Sequence, residues 1–131
     1  MILDASAVLA VLFAEPDAAR YAAAVAAASH TEISAVNWFG AAIAVDRRGN
    51  GEQIAEFDAL LERAGTTIIP FDATQALVAR KAYDTCGKGR HRASLTLGDC
   101  ATYALARVRR EPLLFKGGEF PLTDIEPALK D

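Results

Sequence analysis

Hydrophobic positions along the chain alternate between short continuous runs and longer stretches at helical spacing. Met1-Ile2-Leu3 is an apolar run that ends on Asp4, and Ala5 to Phe13 is apolar on nearly every face. The first reads as a buried strand and the second as a helix that other elements must cover. Glu15-Pro16-Asp17 breaks the chain and restarts it, because proline suits a first helical turn and an acid favours the positive helix end. Helix is then predicted over Ala18 to Ala28. Thr31-Glu32-Ile33-Ser34 is the second strand. Ala35 to Arg48 follows as a longer helix with Val36, Phe39, Ile43 and Arg47 at helical spacing, closed by Gly49-Asn50-Gly51. Residues 52–64 repeat the device: Ile54, Phe57, Leu60 and Leu61 form one stripe opposite Glu52, Glu56 and Glu62, and Gly65 stops it. The β-branched run Thr66 to Phe71 predicts a third strand, and Asp72 caps a helix through Leu77, Val78 and Tyr83. Past an irregular basic loop between Gly87 and Leu97, Asp99 to Arg109 reads as helix and Pro112 to Phe115 as a fourth strand. Thr123-Asp124-Ile125 is a weak fifth.

Strands that alternate with helices imply a mostly parallel sheet of four to five short strands, covered on both faces: an α/β fold in three α/β/α layers. No repeat or linker interrupts the 131 residues, so 1–131 reads as a single domain. A hydrophobic fraction of 52% with 24% charged residues excludes a disordered or low-complexity chain. The net charge of -3 excludes a uniformly basic nucleic-acid coat and leaves room for a local basic patch. Cys86 and Cys100 are too few for a disulfide scaffold and lack metal-binding spacing, which points to a reducing compartment. With no signal-like start and no window near the roughly 18 apolar residues of a membrane span, the expectation is a cytoplasmic protein.

In folds of this class, functional groups gather outside the carboxyl ends of the strands, where strand order reverses. Asp4 ends strand one, Asp99 opens the helix that leads into strand four, and Lys116 to Glu119 follow that strand. If strands one and four are neighbours, Asp4, Asp99 and Glu119 converge on one mouth. Clustered carboxylates repel one another and raise each other's pKa, so a divalent cation is the natural compensation. Hard oxygen ligands without His or Cys favour Mg2+ or Mn2+, ions suited to water activation and phosphodiester cleavage. Each acid also has a plain structural role open to it. Asp4 and Asp99 can cap the helices that begin beside them, each cap being worth roughly 0.5–2 kcal/mol, and Glu119 on its Gly-Gly turn can be solvated surface.

These residues resemble the PIN-domain ribonucleases, and among them the VapC-type toxins of bacterial type II toxin–antitoxin pairs. The likeness runs through Met1-Ile2-Leu3-Asp4-Ala5-Ser6-Ala7, Ile33-Ser34-Ala35-Val36-Asn37, Gly87-Lys88-Gly89-Arg90-His91, Leu97-Gly98-Asp99-Cys100 and Leu114-Phe115-Lys116-Gly117. It implies that Asp4, Asp99 and Glu119 hold Mg2+ or Mn2+, with Glu119 where the family more often has Asp. It further implies that the Ser6 hydroxyl supports the first acid. The resemblance also implies an RNA substrate, a VapB-type antitoxin partner and a homodimer. The family usually places a glutamate three residues after the Asn of the Ser-Ala-Val-Asn-like segment, and here that residue is Gly40.

Gly40 lies inside a predicted helix, where glycine costs about 1 kcal/mol relative to alanine. Either close helix packing requires it, or it marks a lost catalytic acid, natural or introduced. From Arg80 to Arg92 the basic side chains Arg80, Lys81, Lys88, Arg90 and Arg92 face one acid, Asp84, and such a patch attracts phosphates. Lys88, Arg90 and Arg92 are therefore RNA-binding candidates, joined by Lys116 directly after strand four, each with solvated surface as the alternative. Arg107, Arg109 and Arg110 read as favourable charges at a helix end. His30 and His91 are too isolated to suggest a metal or a base, and Trp38 and Phe39 read as core or subunit interface. The apolar first helix and Ala-rich second helix can form a groove for an amphipathic partner segment. Besides the nuclease, a catalytically silent module that binds antitoxin and RNA fits these features. A receiver-like domain built on Asp4, Asp72 and Lys116 fits less well, because the adjacent acid pair after strand one is missing.

Overall fold

Strand residues sort by parity into two cores. In the computed structural model, which describes residues 1–130, Ile2 and Leu113 pack among Ala79, Ala82, Leu95, Ala104, Leu105 and Phe120 on one face. Leu3, Ile33 and Leu114 pack on the other face with Ala7, Val8, Val45, Phe57 and Leu61. This two-sided burial is what the uninterrupted apolar strands require, and it produces the three layers. The elements are β1 (Ile2–Leu3), α1 (Ala5–Leu12), α2 (Ala18–Ala27), β2 (Glu32–Ser34), α3 (Ala35–Arg48), α4 (Gly51–Arg63), β3 (Thr67–Ile69), α5 (Ala73–Cys86), α6 (Leu97–Arg109) and β4 (Leu113–Leu114). A 3-10 turn at Phe120–Leu122 follows.

The strands are parallel in the order β3-β2-β1-β4, with Ile2 opposite Glu32 on one side and Leu113 on the other. The chain therefore moves outward from β1 to β3 and then returns to the opposite side of β1, so the order reverses between β1 and β4. Asp4 and Lys116 leave the sheet on either side of that reversal.

Two predicted elements differ. The fifth strand at Thr123-Asp124-Ile125 does not form. Thr123 closes the 3-10 turn, Ile125 drops into the core, and the edge of β4 is satisfied by the next segment, where Leu113 N donates to Glu126 O and Ala128 N to Leu113 O. Prolines at 121 and 127 leave no room for a regular ladder between them. The last long helix starts at Leu97 rather than Asp99, because Thr96 is its N-cap. No helix among the described residues is long and apolar enough to cross a membrane.

Candidate active site at the strand-order reversal

Asp4 owes its position to a conflict between roles. As N-cap of α1 it turns its carboxylate back onto the helix, with Oδ2 accepting from Ser6 N at 3.0 Å and Ser6 Oγ at 2.5 Å. The next α1 donor, Ala5 N, is taken by Asn37 Oδ1 of α3 at 2.5 Å. The capping role is therefore real, and it uses only one carboxylate oxygen. Asp4 is 4% exposed, and its Oδ1 is buried with no hydrogen-bond partner. Burial pushes the Asp4 carboxyl above its usual range, the two Ser6 donors pull it down, and the nearby charge of Asp99 pushes it up again.

Asp99 is the third residue of a reciprocal cap: Asp99 N donates to Thr96 Oγ1 at 3.3 Å and Thr96 N to Asp99 Oδ2 at 2.9 Å. It does not cap the helix itself, as its place after Gly98 suggested; the Thr-x-x-Asp box does. One turn later Thr102 is fully buried beside Asp4, near enough for its hydroxyl to pull the Asp4 carboxyl down, although it falls short of the geometry of a formed hydrogen bond. Ser34 ends β2, and continuing the β1–β2 register places it opposite Asp4; its buried Oγ also lacks a partner. Three unpaired buried oxygens thus lie at the carboxyl ends of the strands. Such groups cost about 1–3 kcal/mol each when left unsatisfied, a burden uncommon away from functional sites.

The predicted trio of acids is only partly assembled. Asp4 and Asp99 are within electrostatic reach of each other. Glu119 instead folds back over the Gly117 backbone, where a Cβ on Gly117 would lie 2.5 Å from Glu119 Oε2. Among the described residues no set of three or more His, Cys, Asp and Glu is placed to hold a metal ion. Asp4 still fits a cation: a buried, unpaired carboxylate oxygen beside a second carboxylate is the donor set a hard divalent ion takes.

Gly40 is exposed on α3, and a Cβ there would meet nothing within 4 Å. Close packing therefore does not explain it. It sits one turn after Val36 and Asn37; Val36 lines a cavity with Leu97 and Cys100, and the Asn37 amide lies 3.6 Å from where a Gly98 Cβ would be. This is the side of α3 that faces the start of α6.

The other sequence candidates divide. Lys88, Arg90 and Arg92 are exposed on a loop pinned by Lys88 N to Leu95 O and Leu95 N to Cys86 O, and the Arg90 guanidinium lies 5.9 Å from the Tyr83 ring centre. Lys116 is not a free cation: its Nζ binds Glu15 Oε1 at 2.5 Å and Asp17 Oδ1 at 3.0 Å. Trp38 stacks on Phe57, whereas Phe39 is 61% exposed. His30 pairs with Glu111, and His91 Nδ1 accepts from Ala93 N within its own loop. Asp72 accepts from Gln75 N as the cap of α5, on the edge strand away from the reversal, so the receiver-like reading has no acidic pocket. Sequence reasoning gave no role to Asn37, Ser34 or Thr102. The signal for Thr102 was a polar side chain on the buried face of α6, among Cys100, Ala101, Ala104 and Leu105.

A family model for the PIN domain matches residues 1–126. The chain is 44% identical over 125 residues to the protein named ribonuclease VapC30 of Mycobacterium tuberculosis, spanning 95% of each. It is 45% identical over 125 residues to ribonuclease VapC of Mycolicibacterium smegmatis, spanning 95% of this chain and 97% of that one. To ribonuclease VapC28 of M. tuberculosis it is 42% identical over 130 residues, 98% of each. Among solved structures, a chain of a toxin-antitoxin complex from Klebsiella pneumoniae superposes with a TM-score of 0.62 over 86% of this chain and 82% of that one. At 20% identity this likeness bears on the fold.

Proposed function

This chain belongs to the PIN-domain family, in its VapC branch, and on that premise we propose that it is an Mg2+- or Mn2+-dependent endoribonuclease toxin weakened by Gly40. The observation that carries this reading is the unpaired buried Oδ1 of Asp4 beside Asp99 at the strand-order reversal. Asp4 and Asp99 would hold the ion. When bound, it supplies charge neutralisation and a water of lowered pKa at neutral pH. Ser6 holds Asp4 Oδ2, so that Oδ1 is the oxygen left free for the ion. Glu119 joins the ligands only if it leaves the Gly117 backbone.

Among the described residues no third acid gathers with Asp4 and Asp99, which supports the lost-glutamate reading of Gly40. Side chains of a helix lean towards its N-terminus, so a glutamate at 40 reaches back towards Asn37 and the start of α6, where Asp99 lies. The RNA backbone would approach over Lys88, Arg90 and Arg92. Lys116 leaves that set, because two carboxylates already neutralise it. An antitoxin segment would lie in the groove where α1 and α2 meet α4, a cavity of about 250 Å³ lined by Val11, Ala22, Val25 and Leu60. A homodimer would cover the exposed apolar groups Phe39, Leu77 and Leu97.

RNA cleavage with Mg2+ or Mn2+, compared between the unsubstituted chain and Gly40→Glu, tests this reading. Restoring an acid is expected to raise the rate by about 10² or more, the range of a positioned general base. Equal rates would remove the lost-acid explanation. Silence in both forms, with RNA still bound, would favour the second reading, a PIN module that binds without cutting, for which the lack of a third gathered acid among the described residues speaks.

A further inference from the structure

Lys116, Glu15 and Asp17 form a three-charge cluster, and the Lys116 backbone connects it to Asp4. Lys116 N donates to Ser6 Oγ at 2.9 Å, and Ser6 Oγ donates to Asp4 Oδ2 at 2.5 Å. A hydroxyl has one hydrogen. With a lone pair occupied by the Lys116 amide, that hydrogen is directed onto Asp4 and nowhere else. Lys116 Nζ is meanwhile held at two points, by residues 101 and 99 positions earlier in the chain. One exposed ion pair leaves both side chains free to swing, whereas a two-point anchor on side chains about one-third exposed does not.

The acids reach Lys116 because the α1–α2 turn is forced into a particular shape. Ala14 has φ +51°, a left-handed conformation rarely taken by residues with a side chain, and Glu15 N donates to Ala10 O at 2.9 Å. Backbone outliers of this kind persist where the surroundings over-determine them, often at functional sites. Here the strained turn, the end of β4 and the first turn of α1 are tied into one unit around Asp4.

We propose that the Glu15–Asp17–Lys116 clamp is a positioning device that fixes Ser6 and thereby holds Asp4 with Oδ2 occupied and Oδ1 free. The idea rests on the reading of Asp4 as the cation-holding acid. It assigns Lys116 a role other than contacting RNA.

The test uses the full chain and its variants Lys116→Met, Lys116→Arg, Ser6→Ala and Lys116→Met/Ser6→Ala. Mn2+ binding is followed by electron paramagnetic resonance, and amide hydrogen exchange at Ser6 and Lys116 by NMR without metal. Lys116→Met is expected to weaken Mn2+ binding about tenfold, the lower end for outer-shell partners of a metal ligand, and to speed both exchanges. Lys116→Arg restores both readouts, and the double variant is no worse than Ser6→Ala, because the two residues act in series. Unchanged exchange and Mn2+ affinity in Lys116→Met overturn the proposal. So do additive effects, or a loss confined to binding of an RNA oligonucleotide in EDTA, which would return Lys116 to phosphate contact. If no form binds Mn2+, the cation reading of Asp4 fails, and the exchange rates alone decide whether the clamp holds Ser6.

Discussion

The two ends of the parallel sheet treat charge in opposite ways. At the amino ends of the strands charges are met by opposite charges: the Met1 ammonium and His30 both meet Glu111, and Arg109 meets Glu32 at 2.9 Å. At the carboxyl ends, Asp4 Oδ1, Ser34 Oγ and Thr102 Oγ1 are buried and unpaired, and the two nearest carboxylates repel. Folding alone explains the first arrangement. The second opposes folding, and the chain retains it where strand order reverses, the end on which the proposed function rests.

The sharpest way to break this comparison is Asp99→Asn in the Gly40→Glu background. RNA cleavage should fall by about 10²–10⁴, the contribution of a group acting at the reacting centre, with little change in unfolding temperature. A cleavage rate within a few-fold of the parent would mean that the carboxyl end carries no chemistry. Next is the response of stability to Mn2+. The unsubstituted protein should gain about 2.7 kcal/mol at a hundred times its Kd, and Asp4→Asn should gain none, read by thermal unfolding.

Without metal, Asp4→Asn should be the more stable form near neutral pH, by about 0.5–2 kcal/mol. The sign follows from the raised Asp4 carboxyl: the folded state holds its proton more tightly than the unfolded chain. The penalty is therefore absent in acid and grows as pH rises through the ordinary aspartate range. Parallel pH profiles for the two forms would contradict this. Gly40→Ala should stabilise α3 by about 1 kcal/mol in chemical denaturation, since no neighbour opposes a Cβ. A loss of stability would revive the packing explanation.

The smallest effect belongs to the opposite end. Burial raises the Glu111 carboxyl, but the Met1 ammonium and His30 more than reverse this, leaving it lowered. Its contribution is present above the usual glutamate range and lost as pH falls through the lowered value. Glu111→Gln should thus cost about 0.5–1 kcal/mol at pH 7, with the difference shrinking in acid.

Helical spacing over Ala35 to Arg48 was legible to the residue, because an apolar stripe, a polar start and a closing glycine agree there. Asp4 and Asp99 were legible as a pair from their places beside strand ends. What stayed hidden depends on partners far apart in sequence. Glu15 and Asp17 read as a helix start, and nothing local shows that they turn towards Lys116. Thr96 was passed over as cap because Gly98-Asp99 offered a nearer signal. Glu119 read as an acid at the mouth, while the left-handed Gly117 (φ +122°) beneath it lets the side chain lie back on the turn.

The open space around Gly40 has a consequence for what the helix can carry. A side chain added there meets no neighbour within 4 Å. Glycine and glutamate codons can differ by one base, so a lineage carrying this sequence stands a single mutation from placing an acid at that position without disturbing the helix.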